Sequence, residues 1–217
     1  MRCKKLEISE EKRENYRTRK NKIEFEVKNV VATASFKIDG KIDLLKFVRD
    51  SPDVKYNPEK FPGAILKIKE PRATYLVFST GNMVITGLRK VSKLKAALNY
   101  IEKNFRRLDI NFSDYEATVQ NIVISGSFKE MINLNKGAII LDGVMYEPEV
   151  FPGLIYYLQN PKVVFLIFST GKFVATGSRN KEDLEEGIYK VERILREKEI
   201  MIDEQRISDQ PLPEFFV

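Results

Sequence analysis

Two pairs of phenylalanines occur in the same local pattern at the same separation. Phe61 begins a Phe-Pro-Gly turn and Phe78 begins Phe-Ser-Thr-Gly, and Phe151 and Phe168 repeat both patterns later in the chain. A flat apolar ring can stack on another flat surface, but it offers no proton or nucleophile to a reaction. These residues therefore predict noncovalent stacking and not catalysis.

The composition excludes most catalytic schemes. The 217 residues include no histidine and a single cysteine, Cys3, which excludes His-based triads, most zinc sites and disulfide frameworks. We therefore expect no enzyme activity, no metal and no cofactor. No apolar run approaches the ~20 residues of a membrane span, so we expect no membrane association. The net charge of +6 and the pI near 9.2 allow an anionic partner.

The chain is an internal duplication. Residues 56–87 align with residues 146–177 without a gap, and half of the aligned positions are identical. Residues 27–36 match residues 119–128 in the same way. Two long copies are too few for a solenoid, so we expect one α+β unit built twice and packed as a single body.

The duplication defines four segments. We expect a basic N-terminal arm at 1–22, a first repeat at 23–110, a second repeat at 111–198 and an acidic C-terminal tail at 199–217. No glycine or proline interrupts residues 108–115, so no flexible linker is predicted between the repeats.

Apolar periodicity predicts the elements of each repeat. Each repeat is expected to hold a first strand, a short helix, an antiparallel meander of three strands and a longer amphipathic helix. In the first repeat we place the strands at 23–36, 64–69, 74–79 and 83–86 and the helices at 43–49 and 92–108. The second repeat ends in a helix at 181–197.

Each predicted strand is apolar on both faces, although the helices can cover only one of them. In residues 74–79, Tyr75 and Val77 alternate with Leu76 and Phe78. The uncovered face is therefore expected to bind a partner. Its apolar floor is assigned to Val31, Leu76, Val84, Val123, Leu166 and Val174, and its polar groups to Asn29, Thr86, Asn121 and Thr176.

Such a face fits the minor groove of A·T-rich DNA. That groove presents only N3 and O2 acceptors, and the amino group of a guanine would block close approach. Phosphates would lie along the margins of the face, where cations are needed. The candidate phosphate contacts are Lys60, Lys67, Arg72, Lys162 and Lys172.

These features resemble the TATA-box-binding protein family, because Pro-Glu-x-Phe-Pro-Gly and Phe-Ser-Thr-Gly are both doubled within residues 23–198. The resemblance implies a saddle of ten antiparallel strands with helices on its convex back. It implies a general transcription factor that binds the TATA box in the minor groove, kinks it and nucleates preinitiation complex assembly. Phe61 with Phe78, and Phe151 with Phe168, would wedge into base steps.

The resemblance also implies partners and a location. Glu147, Glu149 and Val150 match the family's contact site for the B-type general transcription factor. The basic back of helix 92–108 resembles a surface used by other regulators and associated factors. The basic composition favours a eukaryotic member in the nucleus, with the archaeal cytoplasm as the alternative. The apolar face would also allow a homodimer of the free protein.

Some positions depart from the family pattern and keep alternatives open. Tyr157 stands where the family usually has arginine, with Lys67 as its first-repeat counterpart, and Asn82 replaces a usual lysine. The alternatives are a divergent paralogue with relaxed sequence preference, and a protein-binding or single-strand-binding scaffold with aromatic stacking platforms. A DNA-repair enzyme with a related half would need a catalytic domain, and no helix-hairpin-helix or catalytic Lys/Asp pair is evident.

Overall fold

The computed structural model describes residues 23–202, which form an α+β saddle of one large sheet backed by helices. The predicted arm and residues 203–217 of the predicted tail lie outside the described residues. The sheet has ten strands, and every neighbouring pair in it is antiparallel. The predicted fold class is confirmed.

The first five strands belong to the first repeat, and the next six belong to the second repeat. The first repeat supplies β1 (Glu24–Ile38), β2 (Val54–Lys55), β3 (Ala64–Lys69), β4 (Arg72–Val77) and β5 (Asn82–Leu88). The second repeat supplies β6 (Phe112–Ser127), β7 (Met131–Ile132), β8 (Val144–Met145), β9 (Leu154–Leu158), β10 (Val163–Ile167) and β11 (Lys172–Ser178). A last strand, β12 (Met201–Ile202), pairs with β7 in a separate two-stranded sheet.

The large sheet is symmetric about its centre. Its order is β2-β3-β4-β5-β1-β6-β11-β10-β9-β8, so each repeat contributes five strands in the same order from the centre outward. The central strands β1 and β6 pair reciprocally, with Asn29 opposite Val123 and Val31 opposite Asn121. Corresponding residues of the two repeats therefore take corresponding places on the sheet.

Four α-helices complete the described fold. They are α1 (Leu44–Arg49), α2 (Leu94–Arg107), α3 (Leu134–Ile140) and α4 (Lys181–Glu197). The side chain of Asp43 caps α1 by accepting from the N–H groups of Leu45 and Lys46, and Asn180 caps α4 by accepting from Glu182. These caps satisfy N–H groups that lack partners within the helix. None of the helices within residues 23–202 is long and apolar enough to cross a membrane.

The core lies between the helices and one face of the sheet. In β4, Tyr75 and Val77 are fully buried, whereas Leu76 between them is half-buried. The Tyr75 hydroxyl donates to the Ala97 carbonyl of α2 at 2.8 Å, and burial raises the pKa of Tyr75. The alternation that we predicted for this strand is present, and it leaves the opposite face of the sheet without a helix.

Several elements differ in extent from the prediction, among them the first strand, which was predicted at 23–36 and runs over Glu24–Ile38. The strand predicted at 74–79 runs from Arg72 to Val77, because Phe78 already belongs to a turn in which its N–H donates to the Asn82 carbonyl at 2.9 Å. The strand predicted at 83–86 extends over β5. The helix predicted at 92–108 begins as a 3₁₀ turn at Val91–Lys93, because no side chain caps α2.

Candidate nucleic-acid interface

Cross-strand pairing arranges the open face of the first repeat in rows. One row runs outward from Val84 of β5 to Leu76 of β4 and Ile65 of β3. Directly opposed residues share a face of the sheet. Because the flanking residues point into the core, this row is a half-buried apolar floor. Val31 of β1 is also half-buried.

The second repeat builds the same row. Val174 of β11 lies opposite Leu166 of β10, which lies opposite Ile155 of β9. Val123 of β6, Leu166 and Val174 are all half-buried. The structure therefore places all six predicted floor residues at matched positions on two symmetric halves of one surface.

The central polar residues form one hydrogen-bonded group in each repeat. The side-chain oxygen of Asn29 accepts from the Gly87 N–H at 2.8 Å and from the Thr86 hydroxyl at 3.2 Å. Gly87 has φ of 87°, a conformation that favours glycine. Because the oxygen of Asn29 is occupied by an N–H donor, its NH₂ group remains as a donor, and it has no hydrogen-bond partner within residues 23–202.

The second repeat repeats this group. The Asn121 side-chain oxygen accepts from the Gly177 N–H at 3.1 Å and from the Thr176 hydroxyl at 3.1 Å, and its NH₂ group donates to the same hydroxyl oxygen at 3.0 Å. Gly177 has φ of 98°. All four predicted polar residues thus meet in two matched pairs near the middle of the face.

The phenylalanine pairs lie where β4 and β10 end. The ring centroids of Phe61 and Phe78 are 5.7 Å apart, and those of Phe151 and Phe168 are 5.8 Å apart. All four rings are half-buried. An apolar ring that is neither sunk in the core nor fully solvated is free to contact a second surface.

Glycine makes the close approach of each pair feasible. A Cβ on Gly63 would lie 2.7 Å from a ring atom of Phe61 and 3.1 Å from one of Phe78. A Cβ on Gly153 would meet Phe151 at 2.7 Å and Phe168 at 3.1 Å. Sequence reasoning used these glycines only as turn markers, although their recurrence after each Phe-Pro was a signal for a packing role.

The predicted phosphate contacts are exposed at the margins of the face. Lys60, Lys67, Arg72, Lys162 and Lys172 are all exposed, and within residues 23–202 none of them forms an ion pair. Other cations near the sheet centre are neutralised. Lys28 pairs with Glu26, and its hydrogen bond lowers the pKa of that carboxyl group, while Lys129 pairs with Glu24.

The predicted partner residues sit on a tight loop before the second phenylalanine pair. The Glu147 carbonyl accepts from the N–H groups of Val150 and Phe151 at 3.0 and 2.9 Å. Glu147, Glu149 and Val150 are exposed, and Val150 retains 81% of its accessible surface.

Across residues 23–202, no cluster of three or more potential ligands could hold a metal ion.

Comparison with known proteins identifies the fold family. The model of the family described as "Transcription factor TFIID (or TATA-binding protein, TBP)" matches residues 24–108 and 116–198. Proteins of this family are DNA-binding transcription factors and not enzymes. The two matched stretches are the two halves of the large sheet with their helices.

Individual relatives agree with the family match. The TATA-box-binding protein of Archaeoglobus fulgidus is 43% identical over 173 residues, covering 78% of this chain and 93% of the relative. That of Sulfurisphaera tokodaii is 40% identical over 166 residues, covering 76% and 83%. The solved structure "Methanococcus jannaschii TBP" superposes with a TM-score of 0.71 at 34% identity, covering 80% of this chain and 99% of that one. These relatives are archaeal, so they do not support the expected nuclear location. The chain belongs to the TATA-box-binding protein family.

Proposed function

We propose that this chain is a general transcription factor that binds a TATA element through the open face of its sheet, kinks the DNA by phenylalanine insertion and nucleates preinitiation complex assembly. One observation carries the proposal: an apolar floor with two central Asn–Thr pairs lies between two half-buried phenylalanine pairs, each placed identically in its repeat. That arrangement matches a duplex with a dyad.

The central asparagines suit an A·T-rich minor groove. The Gly87 and Gly177 N–H groups occupy the side-chain oxygens of Asn29 and Asn121. The NH₂ groups of both asparagines are donors, although that of Asn121 also donates to the Thr176 hydroxyl. The groove floor of A·T pairs offers only acceptors. The amino group of a guanine is itself a donor and would meet the NH₂ groups of Asn29 and Asn121. G·C pairs at the centre are therefore disfavoured.

Phenylalanine insertion supplies the bending mechanism. An apolar ring can replace part of a lost base–base stack, whereas a hydrated charge cannot. The family is itself the standard example of minor-groove bending by inserted apolar side chains. Sequence preference then comes partly from deformability, because TA-type steps unstack at low cost.

The remaining assignments extend this function. We infer that repeats 23–110 and 111–198 each cover one half of the element, flanked by the arm at 1–22 and the tail from 199. Glu147, Glu149 and Val150 would contact a B-type general transcription factor, and the basic back of α2 would contact other regulators and associated factors. The free protein would shield its apolar face in a homodimer. The archaeal relatives favour the archaeal cytoplasm as its location.

The test is end-to-end fluorescence transfer on a short TATA duplex labelled at both ends. The wild type is expected to increase transfer. F151A/F168A should lose part of the bend, because one of two wedges is gone, and the further changes F61A/F78A should abolish it. L45A/I139A provides the control, since it removes two exposed apolar side chains from α1 and α3, away from the open face.

Three results would contradict the proposal. If the wild type binds the TATA duplex without bending it, the phenylalanines act only as stacking platforms, which is the scaffold alternative. Equal affinity for TATA and G·C-rich duplexes would favour a paralogue with relaxed preference. A higher affinity for single-stranded A·T-rich DNA would indicate a single-strand-binding module.

A further inference from the structure

The outer margins of the two repeats carry different side chains at matched positions. We define the first rim as Lys55, Lys60, Lys67 and Lys69. We define the second rim as Met145, Val150, Tyr157 and Gln159, which occupy the corresponding positions in the alignment of the repeats. Each lysine of the first rim therefore corresponds to an uncharged residue of the second rim. Met145, Val150 and Tyr157 retain 49%, 81% and 44% of their accessible surface, so the second rim exposes large apolar side chains.

The strand residues of the first rim, Lys55, Lys67 and Lys69, lie on the face of the sheet that we assign to DNA, and Lys60 lies in the loop between β2 and β3. Lys55 of β2 is paired with Ile65 of β3, while Val54 is paired with the buried Leu66. Since neighbours along a strand point to opposite faces, Lys55 shares the open face with Ile65. Lys67 follows Ile65 by two residues in β3 and therefore projects from the same face.

The second rim has the same geometry. Met145 of β8 is paired with Ile155 of β9, while Val144 is paired with the buried Tyr156. Met145 and Tyr157 therefore project from the open face at the places that Lys55 and Lys67 take in the first repeat. The chemistry of the rim has changed, but its position has not.

The charges of the first rim are available to a partner. Over residues 23–202, no ion pair involves Lys55, Lys60, Lys67 or Lys69. The other two margin positions do not make the charges of the two repeats equal. Arg72 corresponds to Lys162, so both repeats have a cation there, and Lys172 corresponds to the uncharged Asn82. The first repeat therefore offers five free cations at its margin, and the second repeat offers two.

We propose that the first repeat supplies most of the ionic contacts with DNA, and that the second repeat holds its half of the element mainly by apolar contacts from Met145, Tyr157 and its floor residues, while Val150 remains available to the protein partner. This inference rests on the proposed function. Each phosphate neutralised by a cation releases counterions and adds about 0.9 to the salt slope of binding. A duplex whose two halves differ in backbone charge is therefore bound in one orientation, with the first repeat on the charged half.

Orientation can be measured on a palindromic TATA duplex with methylphosphonate linkages in one half. The protein carries C3S/K103C, which places one dye on the first-repeat helix α2, and the acceptor dye is at one end of the duplex. We expect the protein with wild-type rims to bind with α2 over the half of the duplex whose phosphates are unmodified. A rim-swapped variant, which exchanges the four rim residues of each repeat for those of the other, should reverse the orientation.

A second measurement uses smaller changes in case the rim-swapped variant does not fold. On an unmodified duplex, K67A should lower the magnitude of the salt slope by about 0.9, whereas Y157A at the matched position should leave the slope unchanged. Equal slope changes in the two variants would overturn the inference, as would random orientation of the wild type or an unreversed orientation after the swap. Failure of the wild type to prefer TATA over a G·C-rich duplex would instead contradict the proposed function.

Discussion

The orientation of one amide group decides what the centre of the open face presents. Asn29 has a donor end and an acceptor end, and a free side chain could show either. Its oxygen is held by the Gly87 N–H at 2.8 Å and the Thr86 hydroxyl at 3.2 Å. The positive φ of Gly87 aims that N–H at the amide, so a backbone feature of β5 fixes the chemistry of a side chain on β1.

Asn29→Asp tests this arrangement. The carboxylate keeps both accepted hydrogen bonds, so we expect folding to be retained. It replaces the NH₂ donor with an acceptor against the acceptors of A·T pairs, which leaves polar groups unpaired at about 1–3 kcal/mol. TATA affinity should therefore fall roughly tenfold to hundredfold in a fluorescence titration.

The control is Asn99→Asp, which adds the same charge on the exposed side of α2. It should change TATA affinity much less than Asn29→Asp. If both variants bind alike, the effect is one of net charge and the amide has no special role.

At the scale of elements, an ion-pair network that α2 lacks ties α4 to the connection between β6 and β7. Arg196 donates to Glu192 at 2.9 Å and to both oxygens of Glu130 at 2.9 and 3.3 Å. The hydrogen bonds that Arg196 donates to Glu130 raise the pKa of Arg196, as do those to Glu192, and they outweigh the lowering effect of burial. The Glu192 side chain is only 5% exposed, so it depends on this partner. In the corresponding pair of α2, Arg106 is 67% exposed and Glu102 is 28% exposed, so this pair is more accessible to water.

Arg196→Met should therefore destabilise the fold. It leaves the buried Glu192 without its cation, and since Arg196 itself is partly exposed we expect a loss of about 2 kcal/mol, below the ~3–5 kcal/mol typical of a fully buried pair. Arg106→Met, at the matched position of α2, should cost less than about 1 kcal/mol. Urea unfolding at pH 7 measures both changes, and equal losses would show that burial of Glu192 does not matter.

The elements themselves were largely predictable, and their detailed register was not. Residues 181–197 were predicted as a helix with the observed bounds, because their apolar residues recur at helical spacing. Strand alternation correctly separated Leu76 from Tyr75. The register shift beside Gly87, where Val30 pairs with Leu88 but Ala32 pairs with Ile85, arises from pairing with a strand far along the chain. No local pattern encodes such a shift, so the glycine that fixes the Asn29 amide could not be found from sequence.

At the scale of the whole molecule, the two repeats are joined by their longest strands. β1 pairs with β6 along nearly its whole length, and the buried residues form one hydrophobic core cluster that includes residues of both repeats. Separating the repeats would expose the central edges of both half-sheets, which are long and unprotected. We therefore do not expect the two repeats to fold independently of each other, although their sequences are similar.

A single cooperative unfolding transition is the expected result. The chain has no tryptophan, so Tyr56→Trp and Tyr146→Trp give one probe in each repeat at matched positions that are packed against the core. In each variant, tryptophan fluorescence and far-UV circular dichroism should give the same urea midpoint, as a two-state transition requires. The comparison is made within each variant, so a change in stability caused by the tryptophan does not affect it. If fluorescence from one repeat precedes the loss of secondary structure, the central strand pair does not couple the repeats, and each would unfold as its own unit.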